Sequence, residues 1–133
     1  MRSLTVFAFL MLGCTTVLYD GPRRPRSEAV TLEMNGTGLL VLDGKRVSDG
    51  LPEGRDDEVE ILPGRHTLGV ALFRSERLKL RTMTKMYYTQ PVNICMDAEP
   101  GHRYRILPAK VQNGWMPVIQ EETSDRLVDN RCP

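Results

Sequence analysis

The chain has 133 residues, 41% of them hydrophobic, with 18 basic and 17 acidic side chains and a net charge of +1. That length fits one small domain with its own core, and so even a charge balance gives no support for wholesale nucleic-acid binding. With three cysteines, two histidines and no Cys-x-x-Cys or His-x-x-x-His spacing, no common zinc pattern is matched and no metal or other cofactor is expected.

In chain order, Arg2 gives a short positive start, Leu4 to Leu12 is apolar except for Thr5, and Gly13 is small. This is the layout of an export signal. An apolar run of about nine residues is too short to cross a bilayer core, which takes roughly 20. Leu10-Met11-Leu12-Gly13-Cys14 resembles the lipobox of bacterial lipoproteins, with Met11 and Leu12 where that family prefers Leu and a small residue. The resemblance implies that residues 1–13 are a cleaved signal peptide and that Cys14 becomes the first mature residue. It implies lipid attachment at Cys14: a diacylglycerol on the thiol and an acyl chain, such as palmitate, on the new amine. Two or three chains hold a protein firmly to a membrane. Thr15, in place of the inner-membrane retention signal, implies delivery to the outer membrane, facing the periplasm.

Residues 14–27 read as a lipid-anchored tether. Gly21-Pro22-Arg23-Arg24-Pro25-Arg26-Ser27 has no apolar period, and its prolines deny it a helix. Residues 28–133 form the domain. Val30, Leu32 and Met34 alternate with Thr31 and Glu33, which predicts a half-buried strand. Leu39 to Leu42 is a short apolar strand, and Asp43-Gly44 turns it into a hairpin. Ser48 to Arg55 is a loop. Val59 and Ile61 alternate with Glu58 and Glu60 up to the Pro63-Gly64 turn, and His66 to Phe73 puts Leu68, Val70 and Leu72 on one face. Leu78 and Leu80 alternate with Arg77, Lys79 and Arg81. Val92, Ile94 and Met96 share a face, with Cys95 on the other. Pro100-Gly101 leads into Tyr104 to Leu107, and Asn113-Gly114 joins that strand to Trp115 to Ile119. Glu121 to Val128 reads as one or two helical turns. Together these predict an all-β fold, a small β-sandwich of seven or eight short antiparallel strands.

Val41-Leu42-Asp43-Gly44-Lys45, followed by Val59 to Leu68 with its Leu-Pro-Gly-x-His turn, resembles surface β-sandwich modules of the PEGA type. Ala98 to Tyr104 with Trp115 to Ile119 is similar to small exported lipoproteins. The resemblance spans roughly residues 28–120 and implies a fold, not an activity. Leu51-Pro52-Glu53-Gly54-Arg55 carries Pro-Glu-Gly without the following Ala.

With Cys14 committed to lipid, Cys95 and Cys132 remain as an even pair. Export would put them where disulfides form, pinning the C-terminal tail to the strand of Cys95; the alternative is two separate thiols. His66 and His102 each follow a Pro-Gly turn. They are either a paired site at one end of the sandwich or two residues that cap turns. Charge is segregated. Glu53, Asp56, Asp57, Glu58 and Glu60 lie against Arg55 alone, and Arg74, Arg77, Lys79, Arg81 and Lys85 lie against Glu76 alone. One reading pairs these blocks across neighbouring strands. The other makes the basic set a surface for an anionic envelope polymer or an acidic envelope protein. Tyr87-Tyr88 and Trp115 are either core or a sugar-stacking cluster.

No Gly-x-Ser-x-Gly, Ser-x-x-Lys or phosphate-cradling loop appears, so no catalytic residue is assigned. The expectation is a non-enzymatic, lipid-anchored envelope protein with a structural or binding role. The alternatives are a subunit of an envelope secretion or assembly machine, and a small hydrolase or metal-binding protein using His66 and His102.

Overall fold

The computed structural model describes residues 15–47, 57–77 and 84–133. These residues hold no helix. Their strands are β1 (Thr15–Val17), β2 (Val30–Met34), β3 (Thr37–Leu42), β4 (Lys45–Arg46), β5 (Asp57–Ile61), β6 (Gly64–Arg77), β7 (Thr84–Tyr88), β8 (Val92–Ala98), β9 (Arg103–Val111), β10 (Gly114–Glu121) and β11 (Leu127–Val128). One sheet runs β1-β5-β2-β9-β10-β11. The other runs β4-β3-β6, and β8 and β7 share the far edge of β6.

The alternating sequences place their apolar residues between the sheets. Val30, Leu32 and Met34 from β2, Val59 and Ile61 from β5, and Tyr104, Ile106 and Ile119 meet Leu39, Leu68, Val70, Ile94 and Met96 from the other sheet. Each is essentially excluded from water, and fully burying an aliphatic side chain contributes about 1.5–3 kcal/mol. The turns are as the sequence requires. Asp43 and Gly44 both take positive φ, 50° and 78°, the geometry of a tight hairpin turn. Gly101 has φ 76°, and a Cβ there would lie 3.1 Å from the Ser27 carbonyl oxygen.

Four expectations are corrected. First, Thr15–Val17, assigned to the tether, is a strand that pairs in parallel with Glu58–Glu60. Thr15, Thr16 and Val17 are β-branched and suit the edge of a sheet. Second, two ladders are parallel, β1 with β5 and β2 with β9; all the others are antiparallel. The chain leaves β2 for the other sheet at Asn35-Gly36, and β9 later takes the free side of β2. Third, residues 121–128 are a turn and β11, not a helix. Gln120 donates to the Asp125 carbonyl at 3.1 Å and so closes the turn. Fourth, the described parts of the acidic and basic blocks are not on neighbouring strands. Glu58 and Glu60 are on β5 and Arg74 is on β6, in different sheets. The strand expected at Leu78 and Leu80, the loop from Ser48 to Arg55, the signal segment and Cys14 lie outside the described residues.

Cys95 and Cys132 form a disulfide, with Cα atoms 4.9 Å apart. The tail it holds also accepts the Cys95 N–H at the Asn130 carbonyl (3.0 Å), and the Asn130 amide donates to the Pro117 carbonyl (2.8 Å). The tail therefore bridges β8 in one sheet and β10 in the other. Cys95 lies opposite the core face of β8 yet is buried. The bridge spans 37 residues, for which loop-closure entropy predicts about 3–4 kcal/mol. Cys132→Ser should lower stability by about that amount in chemical denaturation, and reductant should reproduce the loss in the parent protein but add nothing in the variant.

Candidate functional site

Among the described residues the flank opposite the disulfide is open. There β1 and the segment after it form one wall, and the β3–β4 hairpin forms the other. Between them lies a cleft of about 600 Å³. Its apolar lining is Val17, Leu18, Leu42, Val47 and Leu62. Leu18, Leu42 and Val47 also pack on the core, so the cleft is where the core reaches the surface. Its polar rim is Tyr19, Asp20, Asp43, Lys45, Arg46 and His66.

His66 occupies the inner end of the rim. Its Nδ1 lies 2.6 Å from Asp43 Oδ2, and its Nε2–H donates to the Leu62 carbonyl at 2.6 Å. Asp43 is itself fixed: its other carboxylate oxygen accepts the Thr67 N–H at 2.9 Å, and its N–H donates to the Thr67 carbonyl at 2.8 Å. His66 thus ties the Asp43-Gly44 turn to the end of β5. A carbonyl can only accept, so Nε2 carries hydrogen and has no lone pair for a metal or for a nucleophile's proton. His102 is engaged separately. Its Nδ1 lies 3.3 Å from Glu99 and 3.2 Å from Glu121, and its ring stacks on Tyr104. The two histidines therefore bond different carboxylates, and the geometry does not bring them together as a pair.

The wall after β1 is held by a buried acid. Glu60 is 4% exposed, on the outer face of β5. The Tyr19 hydroxyl donates to it at 2.5 Å, and Arg23 pairs with it at 3.2 Å. Tyr19 in turn accepts the Arg24 N–H at 2.9 Å, and the Leu18 N–H donates to the Glu60 carbonyl. Loss of solvent around the phenol and its bond to Glu60 push the Tyr19 hydroxyl above its ordinary value.

The rest of that outer face is a charge ladder. Glu33 and Glu58 stand directly opposite each other on β2 and β5, which is unfavourable for like charges. Arg103 on β9 offsets this by reaching Glu58 at 2.6 Å and Glu122 at 2.9 Å, and Arg105 lies 3.6 Å from Glu33. The hydrogen bond from Arg103 holds the Glu58 carboxyl below its ordinary value, against the opposing effect of partial burial.

Of the basic set, Arg74 and Arg77 are on β6 and Lys85 is on β7, while Lys79 and Arg81 lie outside the described residues. Arg74 is exposed. Pairing with β3 ends at Leu72, so beyond it β6 is paired with β7 alone among the described strands. Tyr88 packs edge-on to Phe73, and Trp115 packs on the core. The cleft was missed in the sequence because its walls come from the assumed tether and from a hairpin. The signal available was the apolar Val17-Leu18 next to Tyr19, inside a stretch otherwise rich in Gly, Pro and Arg.

Two measurements check these assignments. Glu58 titrates lower in the folded chain, so its pairing stabilises the fold above about pH 4.5 and is lost as pH falls through the folded value. Glu58→Gln should therefore be less stable than the parent near neutrality, with a smaller further loss between about pH 5 and pH 3 in urea unfolding. Tyr19→Phe and Glu60→Gln should each lower the melting temperature, and the double variant should lose less than the sum of the two. Strict additivity would show that the hydroxyl does not act through Glu60.

No family model matches the chain, no curated protein is significantly similar to it, and no solved structure matches its fold significantly.

Proposed function

We propose that this chain is a lipid-anchored lipoprotein of the bacterial cell envelope, whose β-sandwich has a structural or binding role and not a catalytic one. The observation that carries the reading is the Cys95–Cys132 disulfide downstream of an export-type leader. Disulfides persist in oxidising compartments, and the leader supplies the route to one. The arrangement after Cys14 adds support. Thr15 is already in the sheet, so a lipid on Cys14 would sit against the sandwich and not at the end of a spacer. The anchor would be the diacylglycerol and an acyl chain such as palmitate, in the outer membrane and facing the periplasm. Among the described residues the cleft has a floor of aliphatic side chains, which suits binding.

A second reading, a subunit of an envelope secretion or assembly machine, draws on the β6–β7 ribbon. Its basic residues Arg74, Arg77 and Lys85 lie on strands paired with each other, Lys85 in register with Glu76, and this reading would take an acidic envelope protein or an anionic polymer as the partner.

Intact mass of the protein extracted from membranes tests the first reading. The expected mass begins at Cys14, carries a diacylglycerol and an acyl chain, and rises by two hydrogen atoms when reductant opens the disulfide. A mass that begins at Met1 without lipid would overturn it.

A further inference from the structure

The outer face of the six-stranded sheet changes character along its strands. Pairing aligns Thr15 with Glu58, Glu58 with Glu33, Glu33 with Arg105 and Arg105 with Gln120, so these residues form one row across the sheet. On one side of that row lie Glu60, Arg103 and Glu122 and their ion pairs. In the other direction β9 and β10 run on as a two-stranded ribbon to the turn at Gln112-Asn113. The outward positions of the ribbon are Leu107, Ala109 and Val111 on β9 and Gly114, Met116 and Val118 on β10. Val111 is 46% exposed and Met116 44%; Leu107, Ala109 and Val118 are half-buried. The solvated face of an antiparallel pair is ordinarily polar, and a contiguous apolar one marks a contact surface. Residues 84–133 are described without a break, so the ribbon and the chain on both sides of it lie within the described structure.

The position of Thr15 selects the occupant. The face turns from charged to apolar at the row of Thr15, and Cys14 immediately precedes that residue. β1 runs from Thr15 to Val17 as β5 runs from Glu58 to Glu60, away from the Gln112-Asn113 turn, so Thr15 is the end of β1 nearest the ribbon. A lipid on Cys14 would bring the apolar half of this face to the bilayer and hold the charged half away from it. Backbone pairing then decides how the ribbon sits. Pairing of β9 with β2 ends at Ile106 and pairing of β10 with β11 ends at Ile119, so beyond them each strand is paired only with the other among the described strands. Unpaired backbone is costly in hydrocarbon. The ribbon, which runs roughly 20 Å past the Thr15 row at about 3.4 Å per residue, therefore lies along the interface and does not enter it end-on. Lys110, the charged residue of the ribbon, is exposed on the opposite face and stays in water.

We propose that the outward face of the β9–β10 ribbon is a membrane-contact surface, which rests on the interface of the bilayer that holds Cys14, with Val111 and Met116 inserted between the headgroups. The proposal rests on the lipoprotein reading for the nearness of a bilayer; the apolar face of the ribbon does not depend on that reading. Two aliphatic side chains hold a protein weakly by themselves, so their effect is on orientation: the lipid supplies the attachment, and the ribbon fixes which side of the sandwich lies on the membrane.

Residues 14–133 contain every described strand and the disulfide, which leaves Cys14 as their one free thiol. In the test that thiol is coupled to a maleimide-headgroup phosphatidylethanolamine in phosphatidylcholine bicelles. Methyl resonances are then compared with and without phosphatidylcholine that carries a nitroxide near the top of its acyl chain. The methyls of Leu107, Val111, Met116 and Val118 should broaden at least about threefold more than those of Leu42 and Leu62, which lie at the opposite end of the sandwich. Val111→Glu/Met116→Glu should remove that contrast while the protein stays attached; both sites are exposed, so the fold should be retained. No broadening in the attached parent, equal broadening at both ends, broadening centred on Leu42 and Leu62, or a contrast that survives in the glutamate variant would each overturn the proposal. The attachment here is chemical, and the native mass is a separate measurement, so failure of this contact and failure of the lipoprotein reading are told apart.

Discussion

Two sheets share one apolar layer, and the rest of the molecule is organised by how the two flanks of that layer are covered. The interior itself is ordinary in composition: Val, Leu, Ile and Met from alternating strands, close-packed as such interiors are. The flanks are not equivalent. At β8 and β10 the cover is covalent and hydrogen-bonded at once, through Cys132 and Asn130. At β1 and β4 the cover among the described residues is a short parallel strand and a hairpin with a cleft between them. A disulfide restricts the unfolded chain and holds the tail without needing a large buried area. Among the described residues the other flank has an edge strand three residues long, a weaker means that needs the chain after it to be fixed.

Glu60 supplies that fixing point. A carboxyl group so thoroughly covered is costly unless its hydrogen bonds are made, and Tyr19 and Arg23 make them. The same contacts therefore satisfy the acid and dock the segment 18–24. The direction of coupling matters. Without Tyr19 the acid loses a donor, and without Glu60 the phenol and guanidinium lose the reason to lie on the sheet. The charge ladder of Glu33, Glu58, Arg103 and Arg105 differs in kind. Its members are about one-third exposed, so screening by water limits each pair to a modest contribution. That ladder orders the outer face; Glu60 decides where the first residues of the sheet go.

Much of the fold was legible because it is written in period two and in turn dipeptides. Val30 to Met34, Val59 to Ile61, Val92 to Met96 and the Asp43-Gly44 turn all stand where the alternation and the positive-φ preferences put them. The pairing of Cys95 with Cys132 was legible from cysteine count once export was assumed. Strand order was not, because nothing local in β2 states that β5 and β9 will flank it. This is why the partners of Glu58 and Glu60 were not legible: Arg103 and Arg23 are distant in sequence and adjacent only in the folded structure. Residues 15–17 were hidden for another reason. A three-residue strand is below the length at which alternation can be seen, and its stability comes from β5, from Glu60 and from Leu18 on the core. The two histidines show the same limit. Their positions after turns were readable, but the partners of His66, Asp43 and the Leu62 carbonyl, belong to the tertiary structure.

The cleft and the docked segment cannot be energetically independent, because Val17, Leu18 and Tyr19 belong to both. Any occupant that touches Val17 and Leu18 binds the docked arrangement and not a detached one, so it shifts the chain toward docking by its differential affinity. The relation is reciprocal: whatever strengthens the Tyr19–Glu60 bond raises the fraction of chain competent to bind. The position of Thr15 gives this linkage a spatial meaning. The chain enters the sheet one residue after Cys14, and the wall of the cleft begins two residues later, at Val17. A force on Cys14 would reach the cleft through three residues of paired backbone, with Glu60 as the last point of resistance. The site that a ligand would fill and the point at which an anchor would pull are thus joined by one short strand, and its pairing with β5 governs both.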